Sequence, residues 1–204
     1  MPAVPKASDA PSAHRSQALP ARARILVAAN GLFYRHGIRA VGVNAVIAAA
    51  DVAKATFYQH FPAKDDLMVA WLQGGDARWF DRLREIAERE ARAPHELVPA
   101  FFEALAAWVA TDEFRGCGFI NSAVELPATH PARSVIEEHS HEIETYFRDA
   151  LRRAGFPDAD AIAEEAYVLM VGAIVAAMTR RTADPARRAT ASVRRLLNNA
   201  SEAG

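Results

Sequence analysis

A single cysteine, Cys117, in 204 residues leaves no intramolecular disulfide to form. A lone thiol suits a reducing compartment, so a cytoplasmic protein is expected. Long apolar stretches are missing too: the longest, 167–178, falls well short of the roughly 20 residues a bilayer span requires. It reads as a helix buried in a core or an interface, and no signal-peptide core is seen near the N-terminus, so no membrane partner is expected. There is no Gly-x-Ser-x-Gly, no phosphate-binding glycine loop and no Cys/His spacing for zinc, so no catalytic residue, cofactor or metal is expected. The nearest approach to a metal cluster is Glu137, Glu138, His139, His141 and Glu142. Residues two apart on a helix point about 200° apart, so His139 and His141 cannot share an ion and an acidic solvated face is expected. No segment sustains a period of two, which leaves an all-α protein.

What is present is unevenly charged. The net charge of -1 conceals eight Lys/Arg against four acids in residues 1–70, and 16 against 21 in the remainder. A basic first third on an acidic body suits a chain that offers one end to a polyanion. Residues 1–19, with Pro2, Pro5 and Pro11 among Ala and Ser, are expected to form a disordered arm from which Lys6 and Arg15 can reach phosphates.

Beyond Pro20, Ile25, Ala29, Leu32 and Phe33 recur at helical spacing until Gly37 stops the helix. Val43, Val46, Ile47 and Ala50 repeat the pattern in a short second helix. A turn at 51–53 then leads to a third over 54–60, closed by Pro62. Longer helices are expected at about 63–90, 95–112, 119–126, 132–154, 159–181 and 185–201, with Pro and Gly at or near the breaks, giving about nine in all.

Two short helices joined by a three-residue turn let one helix cross the DNA backbone while the next lies in the major groove. Val46, Ile47, Val52, Phe57 and Phe61 supply a small core for that unit, closed by Ile25, Leu32 and Phe33. Lys54, Thr56, Tyr58, Gln59, His60 and Lys64 present donors on the other side.

The runs GIRAVGVN at 37–44 and IAAADVAKATFYQHFPAKDDL at 47–67 resemble the DNA-binding signature of the TetR family of repressors, a likeness that covers about 22–70. The resemblance implies a homeodomain-like helix-turn-helix domain over 20–66 and an effector-binding and dimerisation domain over 67–204. It places Tyr58, His60 and Lys64 on phosphates and Ala55, Thr56 and Gln59 toward base edges. Val43, Asn44 and Lys54 complete the expected DNA-binding set. A Gln amide pairs with adenine N6 and N7, and a Thr methyl can meet thymine. Four positions depart from the family pattern: Gly42 where a Ser or Thr caps the second helix, Asp51 for the turn glycine, and Ala53 and Ala55 for Ser and Gly. The first removes a side-chain phosphate contact, and the second needs a left-handed backbone that Asp tolerates better than most residues.

For the remainder, the resemblance implies a ligand pocket and a last helix pair that joins a second subunit in a four-helix bundle. The dimer surface is expected from Tyr167, Val171, Ile174, Val175, Met178, Val193, Leu196 and Leu197, with the small residues of 172–177 allowing close approach. The effector set is expected from Trp71, Trp79, Phe102, Leu105, Trp108, Cys117, Phe119, Asn121, His139, Tyr146 and Met170. Its aromatic content suits an apolar or aromatic small molecule, with Asn121 or His139 as polar anchor. The expected function is a homodimeric repressor on a pseudo-palindromic double-stranded DNA operator, released by its effector. Two alternatives remain at this point: redox or electrophile sensing through Cys117 at a helix start, and a small cysteine-dependent enzyme using Cys117 with His139.

Overall fold

The computed structural model describes residues 19–76 and 78–202. The expected arm over 1–19, with Lys6 and Arg15, lies outside the described residues except for Leu19. The first helices form where the spacing places them: α1 (Ala21–His36), α2 (Val43–Ala50) and α3 (Lys54–His60). They are followed by α4 (Lys64–Trp71), α5 (Arg78–Glu90), α6 (Leu97–Val109), α7 (Gly118–Glu125), α8 (Ala132–Arg153), α9 (Ala159–Arg180) and α10 (Asp184–Glu202). Among the described residues there is no strand.

Two expected helices differ in detail. The stretch 63–90 is interrupted by a π-helical segment, Leu72–Asp76, that contains the adjacent Gly74 and Gly75. Glycine holds an α-helix poorly, so a widened turn is cheapest there. The helix expected from 95 begins instead with a 3-10 turn, Pro94–Glu96, and α6 ends at Val109.

Two compact units emerge, and they divide the chain differently from a boundary at 66/67. One takes the described residues up to Arg78 together with Cys117–Glu138; the other takes Trp79–Gly116 and the chain from His139 onward. The core of the first unit holds Ile25, Ala29, Phe33, Val46, Phe57, Phe61, Leu67 and Trp71. Each large apolar side chain buried there contributes about 1.5–3 kcal/mol. The Trp71 indole N–H donates to Asn30 Oδ1 at 2.8 Å, and its ring meets Phe33 edge-on at 5.3 Å. At the end of α7 the Arg133 guanidinium donates to the carbonyls of Ala123 at 2.8 Å, Pro127 at 3.2 Å and Leu126, meeting acceptors that a helix C-terminus leaves open.

In the second unit α9 packs on α10, and α10 on α6. By length and composition alone α9 could cross a membrane. Its apolar residues have another use, since Ile162, Ala166, Met170, Ala173, Ile174 and Ala177 are buried within the unit. Gly116, at φ 94°, allows a close approach: an added Cβ would fall 2.2 Å from the Met178 sulfur.

Candidate functional site

The helix-turn-helix is built around an unusual residue. Asp51 ends α2 in the left-handed region (φ 51°, ψ 53°), where its N–H reaches the Ala48 carbonyl at 3.3 Å. The Arg24 guanidinium, reaching across from α1, donates to the Asp51 carbonyl at 2.9 Å. That bond pins the turn that sets the angle between α2 and α3.

On α3, Phe57 and Phe61 face inward, with ring centroids 6.0 Å apart. Lys54, Ala55, Tyr58, Gln59 and His60 are exposed and Thr56 is half-buried. Ala55, Tyr58 and Gln59 stand at i, i+3 and i+4, so they share one face. Tyr58 is 42% exposed, yet its ring sits edge-on to Phe57 at 5.3 Å, which orients the hydroxyl before any partner arrives. Val43 is half-buried and Asn44 exposed at the start of α2. Neither Gly42 nor Ala53 gives its helix a side-chain cap. The Arg22 guanidinium lies 5.4 Å from the centre of the Phe61 ring.

Lys64 is placed differently from its expected role. It is half-buried, and its ammonium donates to the Ile38 carbonyl at 2.5 Å. Burial lowers its pKa, with the nearby Asp65 and Glu125 carboxylates opposing the shift.

The second unit gathers an aromatic cluster. Trp79 stacks on Trp108 (5.1 Å, 9° between planes), His139 meets Trp79 at 5.7 Å and Phe80 at 5.9 Å, and Tyr146 meets Phe80 at 5.8 Å. Burial pulls the His139 pKa down to about 4, so its imidazole is neutral near pH 7. Burial first, and Glu88 second, push the Tyr146 phenol up to about 12, against the pull of Arg153 and Arg84. The Trp79 indole nitrogen and the Tyr146 hydroxyl are buried without a hydrogen-bond partner among the described residues. Leaving such a donor unmet costs about 1–3 kcal/mol.

Of the expected effector residues, the structure therefore brings Trp79, Trp108, His139 and Tyr146 together. Phe102, Leu105 and Met170 lie in the core of the same unit, essentially without exposure. Trp71, Cys117, Phe119 and Asn121 belong to the other unit, where Asn30 already meets the Trp71 donor. Cys117 is buried at 3% exposure, and it lies in a different compact unit from His139. The expected dimer set also divides. Ile174, Val193 and Leu197 are buried in the chain's own core, where α9 and α10 pack together. Val175 is exposed, and Tyr167, Val171, Met178 and Leu196 are half-buried. Val168, absent from the expected set, is the more exposed valine of the same face at 61%.

Sequence and structure comparisons agree with this geometry. The family model described as "Bacterial regulatory proteins, tetR family" matches residues 25–71, and "Transcriptional regulator LmrA/YxaF-like, C-terminal domain" matches 94–192. A TetR-family transcriptional regulator from Streptomyces coelicolor has a similar structure, with TM-score 0.80, 29% identity, and coverage of 89% of this chain and 96% of its own. So does a TetR-type regulator from Streptomyces avermitilis, with TM-score 0.76, 28% identity, and coverage of 91% and 98%. The reduced form of E. coli NemR shares the fold at TM-score 0.72 and 22% identity, with coverage of 85% and 95%. No curated protein matches the chain at a significant level. The chain belongs to the TetR family. It is thus a TetR-type transcriptional regulator with an N-terminal DNA-binding helix-turn-helix and a helical C-terminal domain.

For this TetR-family chain, two residues of the helix-turn-helix setting escape inspection of the sequence. Arg24 reads as an ordinary exposed position of α1, and nothing local marks its bond to a carbonyl 27 residues away. Glu125, whose carboxylate accepts the Arg39 N–H at 2.9 Å, is 86 residues from its partner.

Proposed function

We propose that the protein is a one-component repressor that binds a pseudo-palindromic operator as a homodimer and is released by a small, flat, largely apolar effector. The observation that carries this is the α3 surface: Ala55, Tyr58 and Gln59 share an exposed face backed by the buried Phe57 and Phe61. Gln59 is the base reader, Tyr58 and His60 hold phosphates, and Lys54 adds positive charge at the same helix. Dimerisation uses the outward stripe of α9, where Val168, Gly172 and Val175 are exposed. The effector site is the aromatic cluster, with Trp79 Nε1 and Tyr146 Oη as two donors ready for acceptors on an otherwise apolar molecule. Release requires that the effector bind better to the dimer whose half-site spacing fits DNA poorly, because a ligand shifts an equilibrium only by its differential affinity.

Selection of duplexes from a random-sequence pool tests the proposal. The wild-type chain is expected to enrich an inverted repeat with half-sites about one helical turn apart. Gln59→Ala is expected to relax the preference at one base pair of each half-site by about 1–3 kcal/mol. Enrichment of no sequence, or a preference unchanged in Gln59→Ala, refutes the assignment of α3.

A further inference from the structure

Residues 37–42, which connect α1 to the start of α2, are held from two sides. From α4, the Lys64 ammonium donates to the Ile38 carbonyl at 2.5 Å. From α7, the Glu125 carboxylate accepts the Arg39 N–H at 2.9 Å. Gly37 makes room for the second contact. Its φ of 81° turns the chain out of α1, and an added Cβ would fall 2.8 Å from Glu125 Oε1. Ile38 and Val41 are buried beside these bonds and fix the turn from below. Glu125 is itself anchored, because Arg133 gathers the carbonyls of Ala123, Leu126 and Pro127 around the end of α7. All of these residues lie in one compact unit.

The turn gains from such support. Gly42 caps α2 without a side-chain hydrogen bond, so the buried Val46 holds the first turn of α2 by packing alone, with no polar side chain fixing its start. We propose that Lys64 and Glu125 are positioning residues that brace 37–42 and so set the placement of α2 for DNA binding, and that Lys64 is not a phosphate contact. The inference rests on the helix-turn-helix binding DNA as proposed above. It reverses the role that family resemblance assigns to Lys64. It also gives an acidic residue a favourable role in binding a polyanion.

Those two reversals make the test sharp. Electrostatics alone predicts that removing the Glu125 charge tightens DNA binding, by Ala and Gln equally. A brace predicts the opposite sign for Glu125→Ala, and partial rescue in Glu125→Gln, whose amide oxygen still accepts the Arg39 N–H. For Lys64, the discriminating quantity is the salt dependence. Losing a phosphate contact lowers the slope of log affinity against log salt by about 0.9, whereas losing a brace weakens binding at unchanged slope.

The experiment uses the full chain and the duplex that the wild-type protein enriches. Affinity is measured for wild type, Glu125→Ala, Glu125→Gln, Lys64→Ala and Lys64→Gln at several salt concentrations. Expected are losses of roughly tenfold for Glu125→Ala and Lys64→Ala, as for loss of a hydrogen bond to a charged group, and a smaller loss for Glu125→Gln. The slopes of both Lys64 variants are expected to match wild type. Tighter or unchanged binding by Glu125→Ala overturns the proposal, as does a slope lowered by about one in Lys64→Ala. Should an alanine variant fail to fold, the Glu125→Gln and Lys64→Gln measurements decide in its place: tighter binding by the first, or a lowered slope in the second, overturns it. If the wild-type protein enriches no duplex, the failure belongs to the DNA-binding assignment and not to the brace.

Discussion

Protonation of His139 is expected to loosen the aromatic cluster in a defined pH window. The imidazole is 6% exposed, packs edge-on to Trp79 and Phe80, and has its pKa lowered by burial from 6.5 to about 4. Between those values the unfolded chain takes up a proton that the folded chain refuses. The stabilisation is therefore complete above pH 6.5 and is lost progressively as pH falls toward 4. The full shift corresponds to about 3 kcal/mol, of which about 2 kcal/mol is lost between pH 7 and pH 5. For a domain of this size, that is a fall in melting temperature of about 4–8 °C. The measurement compares denaturation of wild type and His139→Gln at pH 7 and pH 5, at one protein concentration because the stability of a self-associating protein depends on it. Carboxylates titrate equally in both proteins, so the difference isolates the imidazole. The variant is expected to be less stable at pH 7 and to show a shallower pH dependence. A pH dependence identical in the two proteins refutes the burial argument.

Other expectations concern the helix-turn-helix and the α9 surface. Phe57→Ala empties the centre of the first unit and is expected to cost about 3–5 kcal/mol in denaturant melts. Phe57→Leu is expected to cost less while leaving DNA affinity near wild type. Asp51→Val is expected to destabilise by about 1–2 kcal/mol, and Asp51→Gly to destabilise little or to stabilise, because only the first forces a β-branched residue to hold φ 51°. Replacing both Val168 and Val175 with Lys is expected to raise the dimer dissociation constant on the order of a hundredfold in analytical ultracentrifugation, since each chain would bury unpaired charge.

The sequence makes α3 legible because its information is local: Phe57 and Phe61 recur one turn apart, Asp51 allows the turn and Pro62 forbids continuation. Position in the tertiary structure is less readable. Trp71 and Trp79 are only eight residues apart and look alike as pocket candidates. One is spent in the first unit on Asn30 and Phe33, the other in the second on Trp108 and His139. The adjacent Ile174 and Val175 differ in exposure on α9, the first fully buried and the second 42% exposed. Which side faces α10 is a fact about packing, and the run 167–178 is apolar all round. Lys64 illustrates a third limit: a lysine stem can carry its charge outward or back onto a neighbouring carbonyl, and the neighbour here comes from 26 residues away. The π-helical interruption at Leu72–Asp76 did have a local signal in the paired Gly74 and Gly75.

In the proposed mode of binding, selectivity for an operator comes from two copies of the chain. The proposed base reader of α3 is a single side chain, Gln59, with Lys54 assigned to the charge of the helix and the half-buried Thr56 adding at most a methyl contact. Gly42, Ala53 and Ala55 contribute no polar side chain. One bidentate contact discriminates by about 1–3 kcal/mol, roughly 5- to 150-fold. Specific sites are typically preferred over other DNA by about 10³- to 10⁷-fold. A single α3 falls short of that range, whereas two held at a fixed spacing double the free energy of discrimination and enter it. In that mode the α9 stripe would be as necessary to sequence selectivity as Gln59, although it touches no base. A chain made monomeric at Val168 and Val175 is accordingly expected to keep salt-sensitive binding to any duplex while losing its preference for the selected one.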